Sequence, residues 1–128
     1  MLTLVAAAIL SFMIFFPLVV ATSVFKVLNE KQSSKFLRIF FPKYYLYGFV
    51  LSVIGLSLST YNVNKLSILI FLLIMIGFVF SRQVLMPIIN KSNDLGDESK
   101  YNKLHKFSVF INFLQIIGCI VLLVTYLK

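Results

Sequence analysis

The stretch FSVFINFLQIIGCIVLLVTYL, residues 107–127, carries no charged side chain. As an α-helix it would be about 31 Å long, which matches the roughly 30 Å hydrocarbon core of a bilayer. Ser108, Asn112, Gln115 and Cys119 interrupt it, with His105 one step before. At about 100° per residue, these five side chains fall within an arc of about 80°. Polar groups left unpaired in hydrocarbon are costly, so this stripe must face protein or water while the rest of the helix faces lipid.

The apolar pattern occurs three more times, over residues 2–25, 44–61 and 66–89. The chain of 128 residues is 60% hydrophobic and 12% charged, with a mean hydropathy of +0.99. A soluble domain carries about 25% charged residues. This is the composition of a polytopic integral membrane protein. The fold class it implies is all-α: one four-helix bundle over residues 1–128, with helices expected at 2–26, 44–61, 65–89 and 104–127. The first run has no basic segment ahead of it, is long for a leader core, and is followed by Lys26, Lys31, Lys35, Arg38 and Lys43. It reads as a retained helix with a stop-transfer flank.

The net charge of +8 is distributed by position. Lys26, Lys31, Lys35, Arg38 and Lys43, with the single acid Glu30, follow the first helix. Arg82, Lys91, Lys100, Lys103 and Lys106, with Asp94, Asp97 and Glu98, lie between the third and fourth. Lys65 and Lys128 are the basic residues left for the opposite side. This asymmetry places the basic loops inside and both termini on the outer side, in a bacterial plasma membrane or a mitochondrial inner membrane. It accounts for the charge through topology and membrane lipids, and no nucleic acid is implied. Tyr44, Tyr45, Tyr47 and Tyr101 fall at the expected inner interface, and Tyr61 and Tyr126 at the outer one, as an aromatic belt.

In the first loop, Ser33 and Ser34 can cap a short interfacial helix over residues 33–41, ended by Pro42. Phe36, Ile39 and Phe40 would form its apolar face, with Lys35, Arg38 and Lys43 reaching lipid headgroups. Helix two carries Gly48, Ser52, Gly55 and Ser59, a small-residue stripe that permits close helix approach. Pro17 predicts a kink in helix one, ahead of Thr22 and Ser23.

Candidate chemistry is sparse. His105 and Cys119 are the chain's one histidine and one cysteine, and about 20 Å of helix separates them, so they cannot share an ion. Residues 90–98 lack the spacing of an EF-hand loop, and no carboxylate lies inside an expected span, which argues against a proton-coupled pump. We therefore expect no metal, no cofactor and no catalysis. What remains is a polar cluster at the inner end of the bundle: His105, Ser108, Asn112 and Gln115 from helix four, neighboured by Thr22, Ser23, Arg82 and Asn90. Two readings stay open, a hydrogen-bonded packing device or a site for a small polar ligand.

Tyr101, His105, Ser108 and Asn112, spaced x3, x2 and x3, resemble the signature opening the last helix of the transmembrane protein 205-like family. Residues 85–90, LMPIIN, resemble that family's segment closing helix three. Phe25-x2-Leu28 and the run FFPKY at 40–44 resemble its first loop. The resemblance implies a four-helix membrane protein of unassigned biochemistry, distantly similar to copper resistance protein D membrane domains. It marks His105, Ser108, Asn112, Pro87 and Pro42 as family-defining positions. The function expected is a non-catalytic accessory subunit or interaction module, with other membrane subunits or a second copy as partners. The alternative is transport of, or resistance to, a small molecule or metal ion through the helix-four stripe.

Overall fold

The computed structural model describes residues 1–127; Lys128, counted above among the outer charges, lies outside the described residues. The chain folds as four long helices, α1 Leu2–Val27, α2 Glu30–Tyr61, α3 Lys65–Asp94 and α4 Glu98–Tyr126, each long and apolar enough to cross a membrane. The protein is an integral membrane protein. Connections of two or three residues force consecutive helices to run antiparallel. α2 packs on α3, α1 on both α2 and α4, and α3 on α4. The four helices thus close around a core that includes Ala6, Ile9, Met13, Phe71, Ile74, Phe78 and Leu122.

Short polar residues start the helices, because the first N–H groups of a helix need acceptors. Asn29 and Gln32 form a reciprocal capping box at the head of α2, with distances of 2.8 and 3.2 Å. Asn64 Oδ1 accepts from the Ser67 N–H at 3.2 Å, and Asp97 Oδ1 from the Lys100 N–H at 3.1 Å. In the turn between α2 and α3, Val63 takes a φ of 53°, the left-handed region.

The first loop differs from expectation. Residues 33–41 are not a separate interfacial helix; they are early turns of α2, which passes through Pro42 without a break. The cap is Asn29, while Ser33 is buried and bonds back to the Leu28 carbonyl. A proline inside a helix costs about 3 kcal/mol. Here the two halves are held together by packing and by one polar tie. Phe40 stacks on Phe16 of α1, Phe41 meets the same ring edge-on and Tyr44 at a tilt, and Arg82 Nε donates to the Pro42 carbonyl at 3.1 Å. At 32 residues, α2 is about 48 Å long, well beyond the hydrocarbon thickness. Its first turns therefore stand clear of the bilayer. The end of α3 and the start of α4 accompany them, since α3 continues to Asp94 and α4 begins at Glu98.

Prolines also shape α1 and α3. Phe16–Ala21, containing Pro17, and Ser81–Leu85, just ahead of Pro87, are π-helical turns. Each takes up the backbone mismatch that a proline imposes. A further difference concerns Tyr44 and Tyr45. They are not belt residues but lie buried in the bundle, within an aromatic cluster with Phe12, Phe16, Phe41 and Phe78.

Candidate functional site

α4 presents its polar stripe to α3 and α2, and the structure divides the predicted residues into those that meet there and those that do not. Ser108, Gln115 and Cys119 are buried. Asn112 is half-buried, with its Oδ1 inaccessible. His105, at the edge of the arc, is exposed and lies parallel to the Tyr101 ring at 6.0 Å. It takes no part in the buried group.

Gln115 is the centre of this arrangement. Its Nε2 donates to the Ile74 carbonyl of α3 at 2.9 Å. The amide packs against Gly77, where an added Cβ would come within 2.6 Å of Nε2. Gly77 thus provides the room that lets a long polar side chain reach a neighbouring backbone. One turn toward the basic end, Ser81 opens the π-helical turn of α3 with its hydroxyl fully buried. Ser108 lies 3.5 Å from the Tyr45 hydroxyl of α2, and Asn112 approaches the same hydroxyl. Ser81 Oγ, Asn112 Oδ1 and Gln115 Oε1 are buried without a partner in the protein. Such groups cost about 1–3 kcal/mol each when left unmatched.

The expected neighbours lie elsewhere. Thr22 and Ser23 are exposed and bond to the Leu18 and Val19 carbonyls of their own helix, at 2.7 and 2.6 Å. Their depth along α1 was read from the sequence, but the direction they face was not. Arg82 turns away from α4 toward α2, where it meets the Pro42 carbonyl and donates to Gln83 Oε1 at 2.9 Å. Asn90 contributes its carbonyl, 3.3 Å from Arg38 Nη2.

Lys35 and Lys43 are exposed on α2, consistent with a surface position. Arg38 is not an open headgroup ligand. Its guanidinium grips both carboxylate oxygens of Asp94 on α3, with Nη1 to Oδ2 at 3.2 Å. Both residues lie beyond a 30 Å slab measured from the opposite ends of their helices, at about 35 and 43 Å. The Arg38 hydrogen bond holds the Asp94 carboxyl below its usual range, and the Asp94 bond raises the guanidinium in turn.

Sequence reasoning gave Tyr45, Gly77, Ser81 and Asn64 no part in the site. Gly77 and Ser81, four apart in an apolar run, were the available signal for a second close-packed seam. Asn64 Oδ1 accepts from the Tyr126 hydroxyl at 2.6 Å, tying the end of α4 to the α2–α3 turn. Among the described residues, no three His, Cys, Asp or Glu side chains gather where they could hold a metal ion.

No curated protein and no solved structure matches this chain. A family model does match, over residues 4–98, covering α1 to α3 and stopping where α4 begins, so the stripe lies outside the matched region. With most of its 128 residues covered, the chain belongs to the family described as "Domain of unknown function (DUF4149)".

Proposed function

We propose that this protein is a non-catalytic membrane module, an accessory subunit that packs against larger membrane proteins. One observation carries the reading. Within the stripe, Gln115 crosses to the Ile74 carbonyl of α3 and Ser108 meets the Tyr45 hydroxyl of α2, while the small residues Gly48 and Gly55 of α2 receive Phe78 and Phe71 of α3. The outer faces carry large apolar side chains, among them Leu18, Leu73, Ile76, Phe110 and Phe113. Those faces are what the module offers to lipid and to partners. The basic ends of the helices lie inside, and both chain ends outside, by the charge asymmetry. The resemblance of residues 101–112, 85–90, 25–28 and 40–44 to the transmembrane protein 205-like family supports the same reading.

The test is purification from the native membrane in mild detergent, followed by mass spectrometry of what stays bound. Stoichiometric larger membrane subunits are the expected result, and a solitary monodisperse protein would count against the proposal. The three unpartnered oxygens of Ser81, Asn112 and Gln115 favour a second reading, a small polar ligand or ion carried at the stripe. That reading requires a thermal shift on adding such a solute, abolished in Asn112→Leu. A flat response across common ions and small polar solutes would exclude it.

A further inference from the structure

A groove of about 180 Å³ runs between α2 and α3, lined by Tyr45, Leu46, Phe49, Phe78, Val79, Arg82 and Gln83. Its floor is aromatic and aliphatic, and its polar end is Arg82. That residue sits 17 positions along α3 from Lys65, about 26 Å from the far end of the helix and so about 4 Å short of the boundary of a 30 Å hydrocarbon slab, a gap its long side chain spans. The groove therefore starts at headgroup level and descends along the acyl region. It lies at the π-helical turn Ser81–Leu85, whose extra residue rotates Arg82 out of line with the helix face before it.

The guanidinium is positioned but not neutralised. Nε donates to the Pro42 carbonyl at 3.1 Å and Nη1 to Gln83 Oε1 at 2.9 Å, and both acceptors are uncharged. The ion pair formed among the described residues is that of Arg38 with Asp94. A half-buried cation at a membrane boundary without an acid beside it calls for an anion from outside. Arginine's fork of N–H donors matches phosphate oxygens better than any other common anion at that depth. A volume of about 180 Å³ takes a length of one acyl chain, whereas a helix about 10 Å across would fill it within a fraction of one turn.

We propose that the α2–α3 groove is a binding site for one anionic phospholipid, its phosphate held by Arg82 and one acyl chain lying along Leu46, Phe49, Phe78 and Val79. Gln83 and the Pro42 carbonyl act as positioning groups that hold the guanidinium at the groove mouth. The site rests on the groove, on Arg82 and on the membrane span, and is independent of the accessory-subunit reading.

The full chain, purified in mild detergent, is incubated with equimolar phosphatidylglycerol and phosphatidylcholine and read by native mass spectrometry. Wild type retains phosphatidylglycerol over phosphatidylcholine by about fivefold, the discrimination that one arginine gives at a membrane surface. Arg82→Gln removes the preference. Val79→Phe, which fills the groove and leaves the charge untouched, lowers retention of the lipid as well. Lys65→Gln, an exposed charge at the far end of α3 from the groove, leaves both unchanged. Equal retention of the two lipids by wild type, or an unchanged preference in Arg82→Gln, overturns the proposal. Should Arg82→Gln fail to fold, Val79→Phe decides: full retention of the lipid overturns the site. Displacement of the lipid by millimolar inorganic phosphate, or a photo-crosslink from position 79 to a polypeptide, would likewise overturn it.

Discussion

The α2–α3 and α3–α4 seams solve one problem in two ways. Lipid offers no hydrophobic drive between helices, so packing and hydrogen bonds must hold them together. The α2–α3 seam uses shape. Gly48 and Gly55 receive the Phe78 and Phe71 rings, so close that an added Cβ at Gly48 would fall 2.6 Å from Phe78. Ser52 and Ser59 return their hydroxyls to the Gly48 and Gly55 carbonyls at 2.7 and 2.8 Å, leaving the contact surface apolar. The α3–α4 seam uses polarity. Gln115 crosses to the Ile74 carbonyl, while Ser81 and Asn112 bury oxygens near it. A shape-based seam is fixed by what will not fit, and a polar seam by what must be paired. The first should therefore be the stronger and the less forgiving.

Substitutions can break this contrast, and the largest effect belongs to the shape seam. Gly55→Leu places a side chain where Phe71 already lies, and overpacking of this kind costs about 3 kcal/mol. Unfolding in mixed micelles should show that loss, with partial recovery when Phe71→Leu is added. A tolerated Gly55→Leu would mean that the seam is loose. Next comes the polar tie at the end of α4. Tyr126→Phe removes the 2.6 Å bond to Asn64 and should cost about 1 kcal/mol in the same assay. Gln115→Leu loses one interhelical hydrogen bond and should cost about 0.6 kcal/mol, the average for such bonds in membranes. A stabilised Gln115→Leu would show instead that the unpartnered Oε1 outweighs the bond made by Nε2.

The smallest effect is electrostatic and lies outside the bilayer. Asp94 titrates lower folded than unfolded because Arg38 stabilises its charged form. Its contribution is therefore fully present above the unfolded carboxylate value of about 3.9 and is lost as pH falls through the lower folded value. Stability should rise with pH across that acidic window in wild type, and this part of the slope should vanish in Asp94→Asn. Asp94 is well exposed, so high salt should weaken the same contribution.

Much of the fold was legible because spans are set by length and apolarity, and the stripe Gly48, Ser52, Gly55 and Ser59 named the α2 face that α3 occupies. Pro42 misled, since proline usually ends a helix. The aromatic packing of Phe40, Phe41 and Tyr44 around Phe16 that carries α2 through it is a contact between segments remote in sequence. Tyr44 and Tyr45 misled for another reason: a tyrosine near a span end serves a belt and a buried cluster equally well. For the candidate site, periodicity placed Ser108, Asn112 and Gln115 on one inward line. It could not supply their partners, because the Ile74 carbonyl leaves no mark in the sequence and the Tyr45 hydroxyl belongs to another helix. Thr22 and Ser23 failed similarly, their depth being readable and their facing direction not.

The Asn112→Leu/Gln115→Leu double variant, purified from its native membrane beside wild type, shows whether the polar line of α4 joins helices within an accessory module. A helix-joining role gives a folded protein that keeps the same partner subunits in the same stoichiometry. A folded variant that keeps no partner, or that loses a small molecule wild type retains, would contradict it.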